Sequence, residues 1–437
     1  MNKYCDLETF ENCVIKKNEN KEYLYILSNQ FYYYHDQKFL INISIFDNLE
    51  RGTVKDDKKK VEEILKILKT KDSPEEKTKK LKSLNITEEE KKGIGIMLGM
   101  AIGDAMGARY EFNPVNYDTI TLEDMGHKAG GNFRLQPGQW TDDTSMGLCL
   151  ADSLLMNKGN LDQHDLMHRF VAWIIGGYNN AFRFNKKNNL PLRGSVGLGG
   201  NISLSIDNYI DCYNKNKELK AETDAGDKNT SGNGSIMRNA AIPICFHDNI
   251  ELACEEARRQ SLVTHQGIEA EECCSLLTHI IVKLFGKNEL KDVLENLGKD
   301  FKTKKKSVEY LAKSMKEEND EDKNWNWKIN GQYKYSPYRT YKSGGYIGSY
   351  AMDAMAMSLN ILYNTNSFRN AIIKAVNIRG DSDSVASVVG QIAGAYYPIE
   401  YIPGDWIEAI YKWDAGEIAL RGYMLARLKK GDSFIIK

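Results

Sequence analysis

The stretch "GIGIMLGMAIGDAMGARYEF" carries Gly95, Gly99, Gly103 and Gly107 at a spacing of four. On a helix, residues four apart share a face, so one stripe of this helix has no side chains. Such a stripe is stable only where another backbone lies against it, which predicts a helix in a crowded interior. "TEEE" ahead of it, Thr87 to Glu90, has the spacing of a capping box and fixes the start of the helix. Downstream, helix-period segments alternate with Gly/Asn loops, and no series of alternating-period strands interrupts them before the C-terminus. The expected core is all-α.

The first 50 residues differ. "YLYILSNQFYYYHDQKFLINISIF" is rich in aromatic and β-branched residues, and Ile41, Ile43 and Ile45 alternate with Asn42 and Ser44. That alternation predicts a strand pairing with "QFYYY" across "HDQK", hence a small β-containing appendage over 1–50. Residues 51–89 read as a charged helical linker: Val61, Ile64, Leu65 and Leu68 fall at helical spacing among lysines, and "SPEE" at Ser73 is a second capping box. The main domain is placed at 90–437. Its stretch from about 300 to 342, with a lysine run and an aromatic cluster, is expected to be an insertion or a long loop.

Composition narrows function. The 437 residues carry 59 Lys and Arg against 60 Asp and Glu, so the formal net charge of −1 gives no global attraction to nucleic acid. The eight cysteines form no C-x-x-C pair, as expected of reduced thiols in an intracellular compartment. The N-terminus lacks the apolar core of a signal peptide, and no apolar run approaches the roughly 18 residues of a spanning helix. A soluble protein without a membrane partner is expected.

Two acidic strings stand out. "QWTDDTSMGLCLADSL" places Thr141, Asp142 and Asp143 ahead of a helix-period run, and "RGDSDSVASVVGQIAGAYY" repeats the pattern with Asp381, Asp383 and Ser384. Either could be an ordinary N-cap with acids complementing the helix dipole. A cap needs one acceptor, however, and the two starts together supply four carboxylates and two hydroxyls. If they face each other, the carboxylates repel or hold protons unless a cation neutralises them. An all-oxygen set suits Mg²⁺ or Mn²⁺ rather than zinc, with Asp383 or Asp142 as a bridge between two ions. Gly-rich loops at "RGSVGLGGN" and "NTSGNGSIMR" are tight turns that could also present N–H groups to a phosphate. His265 in "THQGIEAEECC" is either structural or functional.

In this order, "GMAIGDAMGARYEF", "QWTDDTSM", "GNGSIMR", "THQGIEAEECC" and "RGDSDSVASVVGQIAGAYY" resemble the ADP-ribosylglycohydrolase family over about residues 90–425. The resemblance implies a compact helical domain and a centre of two divalent ions, Mg²⁺ or Mn²⁺. Its ligands would be Thr141, Asp142, Asp143, Asp381, Asp383 and Ser384. Glu111 matches the family's acidic flap residue, and Glu111, Asp142 and Asp143 are the catalytic candidates. Gly197, Gly199, Thr230, Ser231, Gly232, Asn233, Gly234, Ser235 and His265 fall where the family holds ADP-ribose. The implied activity is metal-dependent hydrolysis of the glycosidic bond joining ADP-ribose to a protein side chain or related conjugate. The sequence departs from the family pattern at Arg379, usually Gly, and at Ser384, usually Thr. The alternative is a non-catalytic member that binds ADP-ribose or serves an assembly through residues 1–90.

Overall fold

The computed structural model describes residues 31–32, 41–42, 53–117, 131–182, 195–214, 230–318 and 320–428. Most of the expected N-terminal appendage lies outside them. Within it, Phe31–Tyr32 (β1) and Ile41–Asn42 (β2) pair antiparallel, with Phe31 opposite Asn42 and Tyr32 opposite Ile41. Among the described residues, every other element of regular structure is helical, as expected. The helices are α1 (Thr53–Leu68), α2 (Pro74–Lys82), α3 (Glu88–Gly107), α4 (Asp142–Met156), α5 (Gln163–Gly176) and α6 (Gly200–Asn214). Next come α7 (Ala241–Cys245), α8 (Ile250–Leu262), α9 (Ile268–Phe285), α10 (Leu290–Asp300), α11 (Lys306–Lys313) and α12 (Pro337–Lys342). The last five are α13 (Ala351–Tyr363), α14 (Phe368–Val376), α15 (Ser382–Tyr396), α16 (Gly404–Asp414) and α17 (Glu417–Arg427). Among the described residues no helix is long and apolar enough to cross a membrane.

Helix α3 is the axis, and its largest partners are α15 and α17. The glycine stripe does what its spacing requires. A β-carbon at Gly95, Gly99 or Gly103 would collide with the carbonyl oxygens of Gly394, Gly390 or Ala386 on α15. Gly107 continues the seam onto the backbone of Asp383, and Ser382 Oγ donates to the Gly107 carbonyl at 2.9 Å. The seam therefore presses the start of α15 onto the end of α3. The acidic site is built there.

Both capping boxes form. Glu76 N donates to Ser73 Oγ at 3.3 Å and Ser73 N to Glu76 Oε2 at 3.0 Å. The α3 box closes with distances of 3.1 and 2.8 Å between Thr87 and Glu90.

Two stretches reach further into the core than their charge suggests. In the charged helical linker, Val61, Ile64, Leu65 and Leu68 of α1 and Leu81 of α2 are buried in the same core as α3. Arg427 of α17 pairs with Asp57, and Lys77 Nζ donates to the Leu68 carbonyl at 2.7 Å. A helix with an apolar stripe and a lysine-rich back is amphipathic, and burial of the stripe decides its place. The 300–342 stretch is likewise only partly loop. It contains α11 and α12, and Trp325 and Trp327 are fully buried, with Trp327 Nε1 donating to the Leu311 carbonyl at 2.7 Å. Most of its lysines reach water, while Trp325, Trp327, Tyr333 and Tyr335 fill the core.

Candidate metal and substrate site

The start of α4 is not capped by its own residue. Thr141 occupies the N-cap position with no side-chain capping bond. Asp104 of α3 takes that duty from across the interface. Its carboxylate accepts from Thr141 N and Thr141 Oγ1, both at 2.9 Å, from Thr144 N at 2.9 Å and from Thr144 Oγ1 at 2.6 Å. The ordinary N-cap reading of Thr141 therefore does not hold, because its single hydroxyl proton goes to Asp104. With the helix amides satisfied by Asp104, the carboxylates of Asp142 and Asp143 are free for other work.

The start of α15 is built similarly. Asp381 holds the N-cap position without a capping bond, and its Oδ2 accepts from Asn233 Nδ2 at 3.1 Å. Opposite, Glu111 follows the end of α3 and is tied to this loop by backbone bonds, Phe112 N to Gly380 O at 3.0 Å and Gly380 N to Asn113 O at 2.8 Å.

These starts face each other. Asp104, Asp143 and Asp383 bring carboxylate oxygens within 4.8 Å of one another, and so do Glu111, Asp381 and Asp383. The two triads share Asp383. All five carboxylates are buried, and Asp143 Oδ1, Asp383 Oδ1 and Glu111 Oε2 have no hydrogen-bond partner. Burial, then the charges of Asp383 and Asp381, drive Glu111 far above the ordinary carboxylate range. Burial acts first on Asp142, Asp143 and Asp383 as well, followed by Asp383, Asp104 and Asp381 respectively, and all three are raised well above normal. Buried acceptors without donors, crowded and mutually repelling, are the surroundings a hard cation relieves. The donor set therefore fits a hard divalent cation.

Beside the triads lies a cavity of about 580 Å³. Glu111, Asp142, Asp143, Asp381, Asp383 and Ser384 form its floor. Gly197, Gly199 and the loop Thr230–Gly234 form its walls with His265. Gly197 adopts φ +82° and lies against Asp142, where a β-carbon would strike the carboxylate, so glycine is required there on both counts. The imidazole of His265 packs under Gly234, where a β-carbon would come 2.6 Å from Cε1. Burial and the nearby Arg238 lower the His265 pKa to about 3, so the ring is neutral. Arg238 donates to Thr264 Oγ1 at 2.7 Å, leaving the Thr264 proton for His265 Nδ1 at 2.8 Å. The remaining ring proton is then on Nε2, on the side of the glycine loop.

Three expected site residues do not reach the cavity as free groups. Ser235 is fully buried at the end of the 3₁₀ turn Asn233–Ser235 and accepts from Ser261 Oγ at 2.8 Å, behind the wall. Thr141 is fully buried, and its hydroxyl lies 3.5 Å from Asp383 Oδ2 while bonded to Asp104. Asn233 lines the cavity, but its amide is committed to Asp381 and to the Gly348 carbonyl at 2.9 Å. Arg379 is not among the cavity's lining residues.

Sequence reasoning missed Asp104, although "GMAIGDAMG" was in view, because a cap supplied from another helix leaves no local spacing. It also missed Tyr346 and Tyr350 on the cavity wall. Tyr346 stacks on Phe112, with centroids 5.4 Å apart and planes 11° apart, and its hydroxyl lies 3.5 Å from Glu111 Oε1. The aromatic pair in "GGYIGSY" was the available signal.

Comparison with known proteins agrees with this geometry. The ADP-ribosylglycohydrolase family model matches residues 86–432. The ADP-ribosylarginine hydrolase Tri1 of Pseudomonas putida is 32% identical over 324 residues, covering 72% of this chain and 73% of the relative. The ADP-ribosyl-[dinitrogen reductase] glycohydrolase of Rhodospirillum rubrum is 27% identical, covering 73% and 90%. A solved structure described as an ADP-ribosylglycohydrolase-related protein complex superposes with a TM-score of 0.55 at 26% identity, covering 78% of this chain and all of that one. The chain belongs to the ADP-ribosylglycohydrolase family, whose members are hydrolases.

Proposed function

We propose that this protein hydrolyses the bond between the distal ribose of ADP-ribose and a protein side chain, using two divalent ions, Mg²⁺ or Mn²⁺. The observation that carries the proposal is the pair of acid triads sharing Asp383 at the floor of a cavity walled by glycine loops. Asp143 and Asp383, with Asp104 behind them, would hold one ion. Glu111, Asp381 and Asp383 surround the other position, with Ser384 and Asp142 at its edge. Bound there, the ions would neutralise the acids, grip ribose hydroxyls and lower the pKa of a bound water.

The chain's own groups account for the rest. Gly197, Gly199 and the loop from Thr230 to Gly234 leave room for a pyrophosphate to approach backbone, and His265 Nε2–H offers it a donor. Glu111 Oε2, buried and without a partner, is placed to take a proton from the attacking water, with Asp142 and Asp143 as the neighbouring acids. The C1–O bond to water forms as the bond from C1 to the side-chain nitrogen or oxygen breaks, and the proton that Glu111 takes from the water passes to the departing atom. The transition state of such a step is oxocarbenium-like, and ribose hydroxyls gripped at the acid-floored site would hold the sugar in place for it.

The relatives named for arginine linkages make ADP-ribosylated arginine the first substrate to assay, with the serine linkage beside it. Isothermal titration with ADP-ribose, with and without Mg²⁺ or Mn²⁺, tests the site directly. Metal-dependent binding and release of free ADP-ribose are expected. Binding of neither ion nor ADP-ribose removes the proposal.

A further inference from the structure

A second cavity, of about 320 Å³, shares no lining residue with the first. One wall is a single face of α14 and its end, where Asn370, Lys374 and Asn377 recur at helical spacing. The other is formed by Asn116, Tyr117 and Gln332. Backbone closes the two walls together, Asn116 N donating to the Ile378 carbonyl at 3.2 Å. The volume lies at the lower end of the small-molecule range.

Two wall groups are chemically unfinished. Asn377 is 9% exposed; its Nδ2 donates to the Ile373 carbonyl at 2.8 Å, but its Oδ1 has no partner. Lys374 is half-buried in the last turn of α14, where the helix dipole favours a cation. No carboxylate among the described residues offsets its loss of hydration, and burial alone pushes the ammonium below the ordinary lysine range. A buried acceptor lacking a donor and a dehydrated cation lacking an anion, on one wall of one cavity, define the complement they need.

We propose that this cavity binds a small oxyanion that carries its own hydrogen-bond donor, with Lys374 taking a negative oxygen and Asn377 Oδ1 taking the donor. Hydroxycarboxylates and hydroxylated phosphate monoesters share that chemistry. The site is separate from the acid-floored cavity, and its test needs no hydrolase activity.

The full chain, kept metal-free so that no bound cation draws anions to the acid cluster, would be titrated calorimetrically with glycerate, with glycerol 3-phosphate and with glycerol. Saturable binding of at least one anion, with no binding of glycerol, is expected, and the stronger anion identifies the headgroup. Lys374→Met is expected to weaken it at least tenfold and Lys374→Arg to retain it, with both variants melting near the parent. No saturable binding of either anion, or an affinity unchanged in Lys374→Met, would overturn the proposal.

Discussion

Helices α2 and α3 begin as helices usually do, whereas α4 and α15 do not. At Ser73 and Thr87 the N-cap side chain binds the third amide of its own helix, and Glu76 and Glu90 close the box in return. At Thr141 and Asp381 the same position makes no such bond. Asp104 reaches over to finish α4, and the acids at the two helix starts are buried together with two of their oxygens, Asp143 Oδ1 and Asp383 Oδ1, unpaired. Where a sequence obeys the capping rule and the structure uses it, the residues are structural. Where the sequence offers caps and the structure leaves them idle, the polar groups remain available to a ligand.

The sharpest way to break this contrast is Asp383→Asn. Asp383 belongs to both triads, so turnover is expected to fall by about a thousandfold or more. The metal-free protein should meanwhile gain about 1 kcal/mol, because one buried, repelled charge is gone. Steady-state assay beside denaturant unfolding checks both. A stability loss of several kcal/mol would show that Asp383 serves the fold instead. Asp104→Ala should behave oppositely in stability. It orphans two amides and two hydroxyls in the core, at an expected cost of about 2–4 kcal/mol in the unfolding midpoint.

The cluster also has a pH signature. Burial and mutual repulsion raise Glu111, Asp142, Asp143 and Asp383 in the metal-free fold. Raised carboxyls make the folded state the better proton binder, so their contribution is fully present below about pH 4, the unfolded value, and is lost as pH rises through the raised folded values. Ions compete with those protons. The gain in Tm on adding Mg²⁺ or Mn²⁺ is therefore expected to grow steadily from pH 5 to pH 8 in matched buffers. Asp353 and Asp414, pushed up to about 6 by burial, titrate in both arms and cancel in the difference. A gain that is flat or shrinks with pH would place the ions elsewhere.

Legibility in the sequence followed the range of the physics. The glycine stripe and both capping boxes are local periodicities, and the structure uses them as spaced. The two acidic strings were readable as a pair because their redundancy exceeds what a cap needs. What escaped was orientation. Nothing in "GNGSIMR" says that Ser235 turns into the core while Gly234 faces the cavity, and nothing near Asp104 announces a helix start 37 residues downstream. The lysines of α1 and of the stretch before Trp325 suggested solvent because composition averages over faces that packing separates.

The smallest expected effect concerns the residue that departs from the family beside the cluster. Arg379 adopts φ +68° and is followed by Gly380 at +63°, so the chain passes through two consecutive left-handed residues before Asp381. Glycine is at ease there, whereas a side chain pays about 1–2 kcal/mol for the conformation. Arg379→Gly relieves that strain but adds freedom to the unfolded chain worth about 0.5–1 kcal/mol. The net expectation is a stabilisation of about 0.5–1 kcal/mol in thermal unfolding. Because Arg379 does not line the cavity, kcat/KM should stay within about twofold of the parent at saturating metal. A marked rise in metal affinity in Arg379→Gly would instead mean that the guanidinium competes for the acids, and the helix start of α15 would then be tuned by its departure from the family as well as by its carboxylates.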